Sequence, residues 1–193
     1  MRIVSLPHSK SKTMTPTCSD MHWYAYKVFY GKGIPVKEYC EDNDLDYFYD
    51  IQKKVRHKDG RECTEEVAVI PNLIFVRCTR QEAERTERQF LNKVMLYRHK
   101  DSCERRVPSE ISDREIDIFK IVATSGVEGL DFYDEYNPKY EKGDRVRVVS
   151  GPFKGAEGYI VRIKGNHRLY VSIKGFCAVA AGYIPKAFLE KIN

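Results

Sequence analysis

The side chains able to do chemistry in this chain are spaced in ways that point away from catalysis. The six cysteines stand at 18, 40, 63, 78, 103 and 177 without a C-x-x-C pair. That argues against a zinc ribbon and a thioredoxin-type site, and favours reduced structural thiols. His22, His57, His99 and His167 are separated from one another and from any Ser or Cys in a nucleophile motif. GKGIPVK, around Gly31, lacks the Gly-Lys-Ser/Thr ending of a phosphate-binding loop. The acids of Glu41 to Asp50, EDNDLDYFYD, lack the central Gly and terminal Glu of a calcium loop, so they read as a solvated helix end and turn. With no converging set of titratable groups, the chain is expected to be neither an enzyme nor the holder of a metal or cofactor.

The remaining candidates are apolar and basic, and the elements that must position them are readable. Tyr140 to Ile163, YEKGDRVRVVSGPFKGAEGYIVRI, reads as two strands around a glycine-punctuated turn. Val146 and Val148 alternate with Arg145 and Arg147, as in a half-buried strand, and Gly151, Pro152, Gly155 and Gly158 shape the turn. A small β-barrel is therefore expected over residues 140–193. It is the basic module, with ten Lys/Arg against four Asp/Glu, whereas residues 23–125 carry nineteen of each. A basic barrel either meets nucleic acid or is a solvated surface. Residues 126–139, GVEGLDFYDEYNPK, hold four acids and one Lys and read as a linker. Residues 1–22 are Ser/Thr/Lys-rich and are expected to be disordered, with Met21 an alternative start.

Across 23–125 the pattern predicts an open sheet with packed helices. Trp23 to Tyr30 is aromatic and β-branched, hence a strand, and a helix follows from about Pro35. Tyr47 to His57 and Glu62 to Ile70 flank Asp59-Gly60 as a hairpin. Leu73 to Thr79 is a strand, Gln81 to Leu91 a helix, and Met95 to His99 a short strand. Ser112 opens a helix with Glu115 at the capping-box position, and Ile111, Ile118, Phe119 and Val122 are its expected buried face. The 193 residues, 42% hydrophobic, suffice for two small domains. No apolar run approaches the ~20 residues needed to span a bilayer, and residues 1–20 lack a secretory segment, so a cytoplasmic protein without a membrane partner is expected.

V-x-V-x-x-G-P-F-K-G-x-x-G resembles the KOW module found in NusG-type transcription factors and in some ribosomal proteins. WYAYKVFYGK from Trp23 and VIPNLIFVR from Val69 to Arg77 fall, in order, where NusG-type proteins carry a Trp-Tyr strand and a Pro-Gly-Tyr or Pro-Asn-Tyr strand start. The resemblance, covering Trp23 to Ile192, implies an α+β chain. An NGN-type mixed α/β domain, an antiparallel sheet with flanking helices, occupies 23–125, and a KOW small SH3-like β-barrel occupies 140–193.

It also implies a function. Such a first domain packs a concave apolar surface on the clamp helices of the largest RNA polymerase subunit and disfavours pausing; the matching residues are Trp23, Tyr24, Ile70, Pro71, Asn72, Leu73 and Phe75. Leu73 stands where the family usually has Tyr, and Phe75, two residues on, shares its face. Contact with non-template DNA or leader RNA falls to Lys32, Lys37, Arg85, Arg88, Gln89 and Lys93, which read equally as a solvated helix face beside Glu82, Glu84 and Glu87. The barrel surface, with Arg145, Arg147, Phe153, Lys154 and Arg162, is the expected contact for a ribosomal protein or Rho. Pro-Asn-Leu-Ile-Phe-Val and the closing KGFCAVAAGYIPKAFLEKI look like the UpxY-type antiterminators of capsular polysaccharide operons in Bacteroides-like bacteria. A housekeeping NusG and a ribosome-associated KOW protein remain the alternatives. The ribosomal reading expects Leu73 and Phe75 buried and a basic barrel surface on RNA.

Overall fold

The computed structural model describes residues 20–29, 33–58, 61–70, 72–133, 138–173 and 175–192. The first domain runs β1 (Met21–Val28), α1 (Gly33–Asp42), β2 (Asp46–Phe48), β3 (Ile51–Lys58), β4 (Arg61–Ala68), β5 (Leu73–Thr79), α2 (Arg80–Gln89), β6 (Val94–Leu96), β7 (Arg98–Lys100), β8 (Arg106–Pro108), β9 (Glu110–Ile111) and α3 (Asp113–Ala123). Its sheet has the order β2-β5-β1-β6, with β9 also pairing β1. β1 and β5 are antiparallel from Met21 opposite Thr79 to Lys27 opposite Leu73. β3 and β4 form a separate ribbon, as the hairpin reading expects; Asp59 and Gly60 lie outside the described residues.

Strand alternation sends neighbouring side chains to opposite faces. Trp23, Ala25, Leu73 and Phe75 join one apolar cluster with Ile116, Phe119 and Val122 of α3. Tyr24, Tyr26, Val28, Ile74, Val76 and Cys78 join another with Val36 and Cys40 of α1 and Ala83 of α2. Because helices cover both faces, β5 is apolar almost throughout rather than alternating.

Local signals set the helix starts. Ser112 caps α3 as predicted: Glu115 donates its backbone N–H to Ser112 Oγ at 3.3 Å, and its carboxylate accepts the Ser112 N–H at 3.1 Å. Thr79, the last residue of β5, builds the same box with Glu82, so α2 begins at Arg80 and ends at Gln89, short of Leu91. The buried face of α3 is Ile116, Phe119, Val122 and Ala123. Ile111 is also buried but on β9, and Ile118 is only half-buried.

The second domain is an antiparallel six-stranded sheet wound as a small SH3-like β-barrel. It comprises β10 (Asp131–Tyr133), β11 (Asp144–Val148), β12 (Glu157–Ile163), β13 (Asn166–Ile173), β14 (Cys177–Ala181) and β15 (Leu189–Lys191), ordered β10-β14-β13-β12-β11-β15. β10 lies inside the stretch read as a linker: Asp131 pairs with Ala180 and Tyr133 with Ala178. Sequence reasoning passed over it because Phe132 and Tyr133 are flanked by acids and show no period. Gly158 is required by close approach, since a Cβ there would fall 2.4 Å from the Tyr170 carbonyl oxygen.

α3 also touches β13 and β14, so it lies between the sheet of the first domain and the barrel.

Candidate functional site

The residues expected on an apolar contact surface are divided by the sheet. Trp23, Ile70, Leu73 and Phe75 are within one cluster, Leu73 at 3% exposure and Phe75 at 0%. Phe75 stacks toward Phe48 with centroids 6.2 Å apart, and Phe119 of α3 lies 6.4 Å from Phe75. These four are therefore not an open concave surface in this structure, because α3 lies over their face. Tyr24 points the other way, into the cluster under α1 and α2, and donates its hydroxyl to Glu110 at 3.4 Å. Burial, reinforced by the Glu110 carboxylate, pushes its phenol pKa up. A Trp-Tyr pair in a strand cannot serve one face, and this corrects the grouping made from the sequence.

At the start of β5, Asn72 is exposed and takes a φ of 57°. Its carbonyl accepts the Val28 N–H at 2.9 Å, tying the turn to β1. A left-handed residue is needed here, and Asn tolerates that conformation better than other side chains, which explains Pro-Asn or Pro-Gly at this point. Pro71 lies outside the described residues.

Around Trp23 the structure assembles groups that no local spacing announces. The indole N–H donates to Asp113 Oδ1 at 2.8 Å, and Arg77 Nε donates to the same oxygen at 2.9 Å. The Arg77 hydrogen bonds hold the Asp113 carboxyl below its usual range. Lys120 Nζ sits 4.2 Å from the Trp23 ring centroid, and burial lowers the Lys120 pKa. The group joins β1, β5 and α3 and serves as a positioning lock rather than a catalytic one.

The expected nucleic-acid residues separate by their partners. Lys37 is paired with Glu41 at 3.3 Å, and Lys32 lies outside the described residues. On α2, Arg80 engages Glu84, while Glu87 is taken by Arg98. Arg85, Arg88, Gln89 and Lys93 are exposed, and no acid among the described residues pairs with the three cations. Arg85, Arg88 and Gln89 fall at i, i+3, i+4, one helix face.

The barrel surface is also partly committed. Phe153 is 5% exposed and belongs to the core, so its expected place on the surface is corrected: the Gly-Pro-Phe-Lys-Gly turn folds the ring inward. Arg147 donates to Glu157 Oε1 from Nε at 3.0 Å and Nη2 at 2.8 Å, and Arg145 Nη2 lies 3.6 Å from Oε2. Arg114 of α3 reaches the same carboxylate at 2.8 and 3.0 Å, which makes Glu157 an interdomain bridge. Burial pushes the Glu157 pKa up, but the hydrogen bonds from Arg147 and Arg114 outweigh it and hold the carboxyl below its ordinary value. Tyr97 meets Phe176 edge-on at 5.2 Å, closing the seam. Lys154 and Arg162 are exposed, Arg162 donating to the Gly165 carbonyl at 3.2 Å.

The family model for transcription termination factor NusG matches residues 21–120, and the KOW motif model matches 142–172. The chain belongs to the NusG family. It is thus a transcription elongation or antitermination type of factor, in a family of non-enzymatic proteins whose domains generally bind RNA polymerase. No curated protein gives a significant match to the chain. Among the described residues no helix is long and apolar enough to cross a membrane.

Proposed function

We propose that this chain is an operon-specific antiterminator that binds RNA polymerase through its first domain and carries it past early termination signals, in the manner of the UpxY-type factors of capsular polysaccharide operons. The observation that carries the polymerase reading is the match of a NusG domain and a KOW motif in that order on one chain. The clamp helices of the largest subunit are met at the β1–β5 end of the sheet. Here Asn72 is exposed and the Ile70 and Leu73 side chains lie just beneath the surface. Pro71 is assigned to the same contact, and Trp23, Tyr24 and Phe75, buried in the two clusters of the sheet, support it from within. Arg85, Arg88, Gln89 and Lys93, whose cations have no acidic partner among the described residues, face the single DNA strand exposed in the elongation complex, and Lys32 and Lys37 are assigned to the same contact. The barrel is the second arm, able to recruit a ribosomal protein or Rho.

A ribosome-associated KOW protein also predicts buried Leu73 and Phe75, which is what the structure has. Against it stand the NusG match over 21–120 and the engagement of Arg145 and Arg147 by Glu157.

The test is transcription in a defined system with purified polymerase, on the leader of the chain's own operon and on an unrelated leader. Read-through confined to its own leader is the expected result; equal effects on both make the protein a general elongation factor. Failure to retain polymerase at low salt overturns the reading. The variant to compare is Arg85→Glu with Arg88→Glu, on an exposed face, because a carboxylate at Leu73 or Phe75 would unfold the domain.

A further inference from the structure

α3 ends at Ala123 and β10 begins at Asp131, so only residues 124–130 join the first domain to the barrel while β10 is paired. That stretch is not simply solvated chain. Thr124, Gly126, Glu128 and Gly129 are exposed, but Val127 and Leu130, with Phe132 of β10, are half-buried and pack against the apolar cluster that runs from the first sheet through α3 into the barrel. Residues 127–133 therefore lie as a strap along the joint between the domains.

The strap is held lightly. β10 is an edge strand beside β14, half-buried throughout, and its ladder has three residue pairs, from Asp131 opposite Ala180 to Tyr133 opposite Ala178. Side chains add to the pairing: the Asp131 carboxylate accepts from Arg168, and the Tyr133 ring stands 6.3 Å from Tyr170 and 6.5 Å from Tyr140. One flank is not closed. A cleft of about 520 Å³ runs along it, lined by Val69 of the first domain, Leu130, Phe132 and Tyr133 of the strap, and Ile163 of the barrel. Side chains beside an unfilled cleft forgo the contacts of a close-packed joint. By contrast, β12 and β13 share five residue pairs, and each has a strand on both sides.

We infer that residues 127–133 form a detachable strap: docked on β14 it holds the barrel in its seat against α3, and released it doubles the chain that joins them. Docked, the tether is the seven residues 124–130, roughly 24 Å when fully extended. With β10 released, the next element of the barrel is the 3₁₀ helix Pro138–Lys142, which lies against β12, and the fourteen residues before it reach roughly 48 Å. A flexible tether twice as long dilutes the barrel about threefold at its seat. Release also leaves β14 with an unpaired edge, which favours the return of the strap.

Amide hydrogen exchange of the full chain, followed by NMR across a urea series below the unfolding midpoint, reads the release directly. The amides shared by β10 and β14 are expected to exchange at least about tenfold faster than those shared by β12 and β13, as one group and with little dependence on urea, because a small opening exposes little surface. Asp131→Lys sets two cations against each other at Arg168 and should speed that exchange about tenfold, with β12–β13 unchanged. Relaxation measured on the same sample should then show the barrel tumbling faster than the first domain. If Asp131→Lys costs the β12–β13 protection itself, Asp131→Asn carries the same comparison with a shift of about threefold. Exchange of the β10–β14 amides at the rate and urea dependence of β12–β13 would overturn the inference, since the strap would then be part of one cooperative barrel. So would faster β10 exchange in the variant while both domains keep a common tumbling time, because the strand would be a frayed edge that holds nothing.

Discussion

Helix α3 has two packed sides within one apolar cluster, and only the side toward the barrel adds an ion cluster to it. Toward the first domain it presents Ile116, Phe119 and Val122 to the ring cluster of Phe48 and Phe75, all but closed to water. Toward the barrel it presents Arg114 to Glu157, and the aromatic contribution there is one edge-on pair, Tyr97 with Phe176. Apolar burial is insensitive to salt and pH, whereas an ion cluster with solvent-exposed arginines weakens as ionic strength rises. The first side is domain core; on the second the same apolar cluster continues into the barrel, and the ion cluster closes its edge.

The largest effect should come from the core side. Phe119→Ala removes the ring that faces both Phe48 and Phe75, at 6.3 and 6.4 Å. A loss of about 3–5 kcal/mol is expected for a ring deleted from a close-packed site. Trp23 is the sole tryptophan, so its fluorescence in a urea titration reports this domain directly. A cost under about 1 kcal/mol would mean that α3 is not core, and would return Trp23, Leu73 and Phe75 to the role of a docking surface.

Glu157→Gln attacks the other side. It leaves Arg114, Arg145 and Arg147 without their shared carboxylate, and like charges then face one another across the seam. The expected outcome is a barrel that tumbles independently, seen in NMR relaxation, while the urea midpoint reported by Trp23 stays where it was. Unchanged tumbling in Glu157→Gln would transfer the weight of the seam to Tyr97 and Phe176.

Acid should reproduce that opening. Interactions with arginine lower the folded-state pKa of Glu157, so the folded chain binds this proton less readily than the unfolded one. Its contribution is full above the ordinary carboxylate pKa and is lost as pH falls through the lowered folded value, a window below about pH 4. Asp113 is shifted in the same direction and loosens from Arg77 over the same range, but the rings beneath it carry no charge. Independent tumbling at low pH with the Trp23 signal still native is the expected pattern. Simultaneous loss of both signals would show that the two sides of α3 are one cooperative unit.

What the sequence revealed follows the reach of each signal. Leu73–Thr79 is a strand with the predicted bounds, and Ser112 with Glu115 a capping box, because both are written within a few residues. The separation of Tyr24 from Trp23 was also available from strand alternation, and the family motif drew attention away from it. By contrast, the covering of Trp23 by α3 depends on Asp113, some ninety residues along the chain. Glu157 and Arg114 meet across domains, and β10 is a strand only because β14 is there to pair with it. Phe153 looked like part of an exposed turn, since glycine spacing specifies the shape of a loop and not the side to which its ring falls.

The smallest effect tests whether the lock around Trp23 adds to the ring packing or merely accompanies it. Trp23→Phe keeps an aromatic ring under Lys120 and removes the indole N–H that Asp113 accepts at 2.8 Å. Asp113 remains satisfied by Arg77 at 2.9 Å, so no carboxylate oxygen is left bare. The net value of one such hydrogen bond is about 1 kcal/mol, with a further small loss from the smaller ring. Circular dichroism must follow the unfolding, because the substitution removes the fluorophore. A loss well above that figure would show that the indole sets the seating of α3 on the sheet, and that the polar lock and the ring cluster act together.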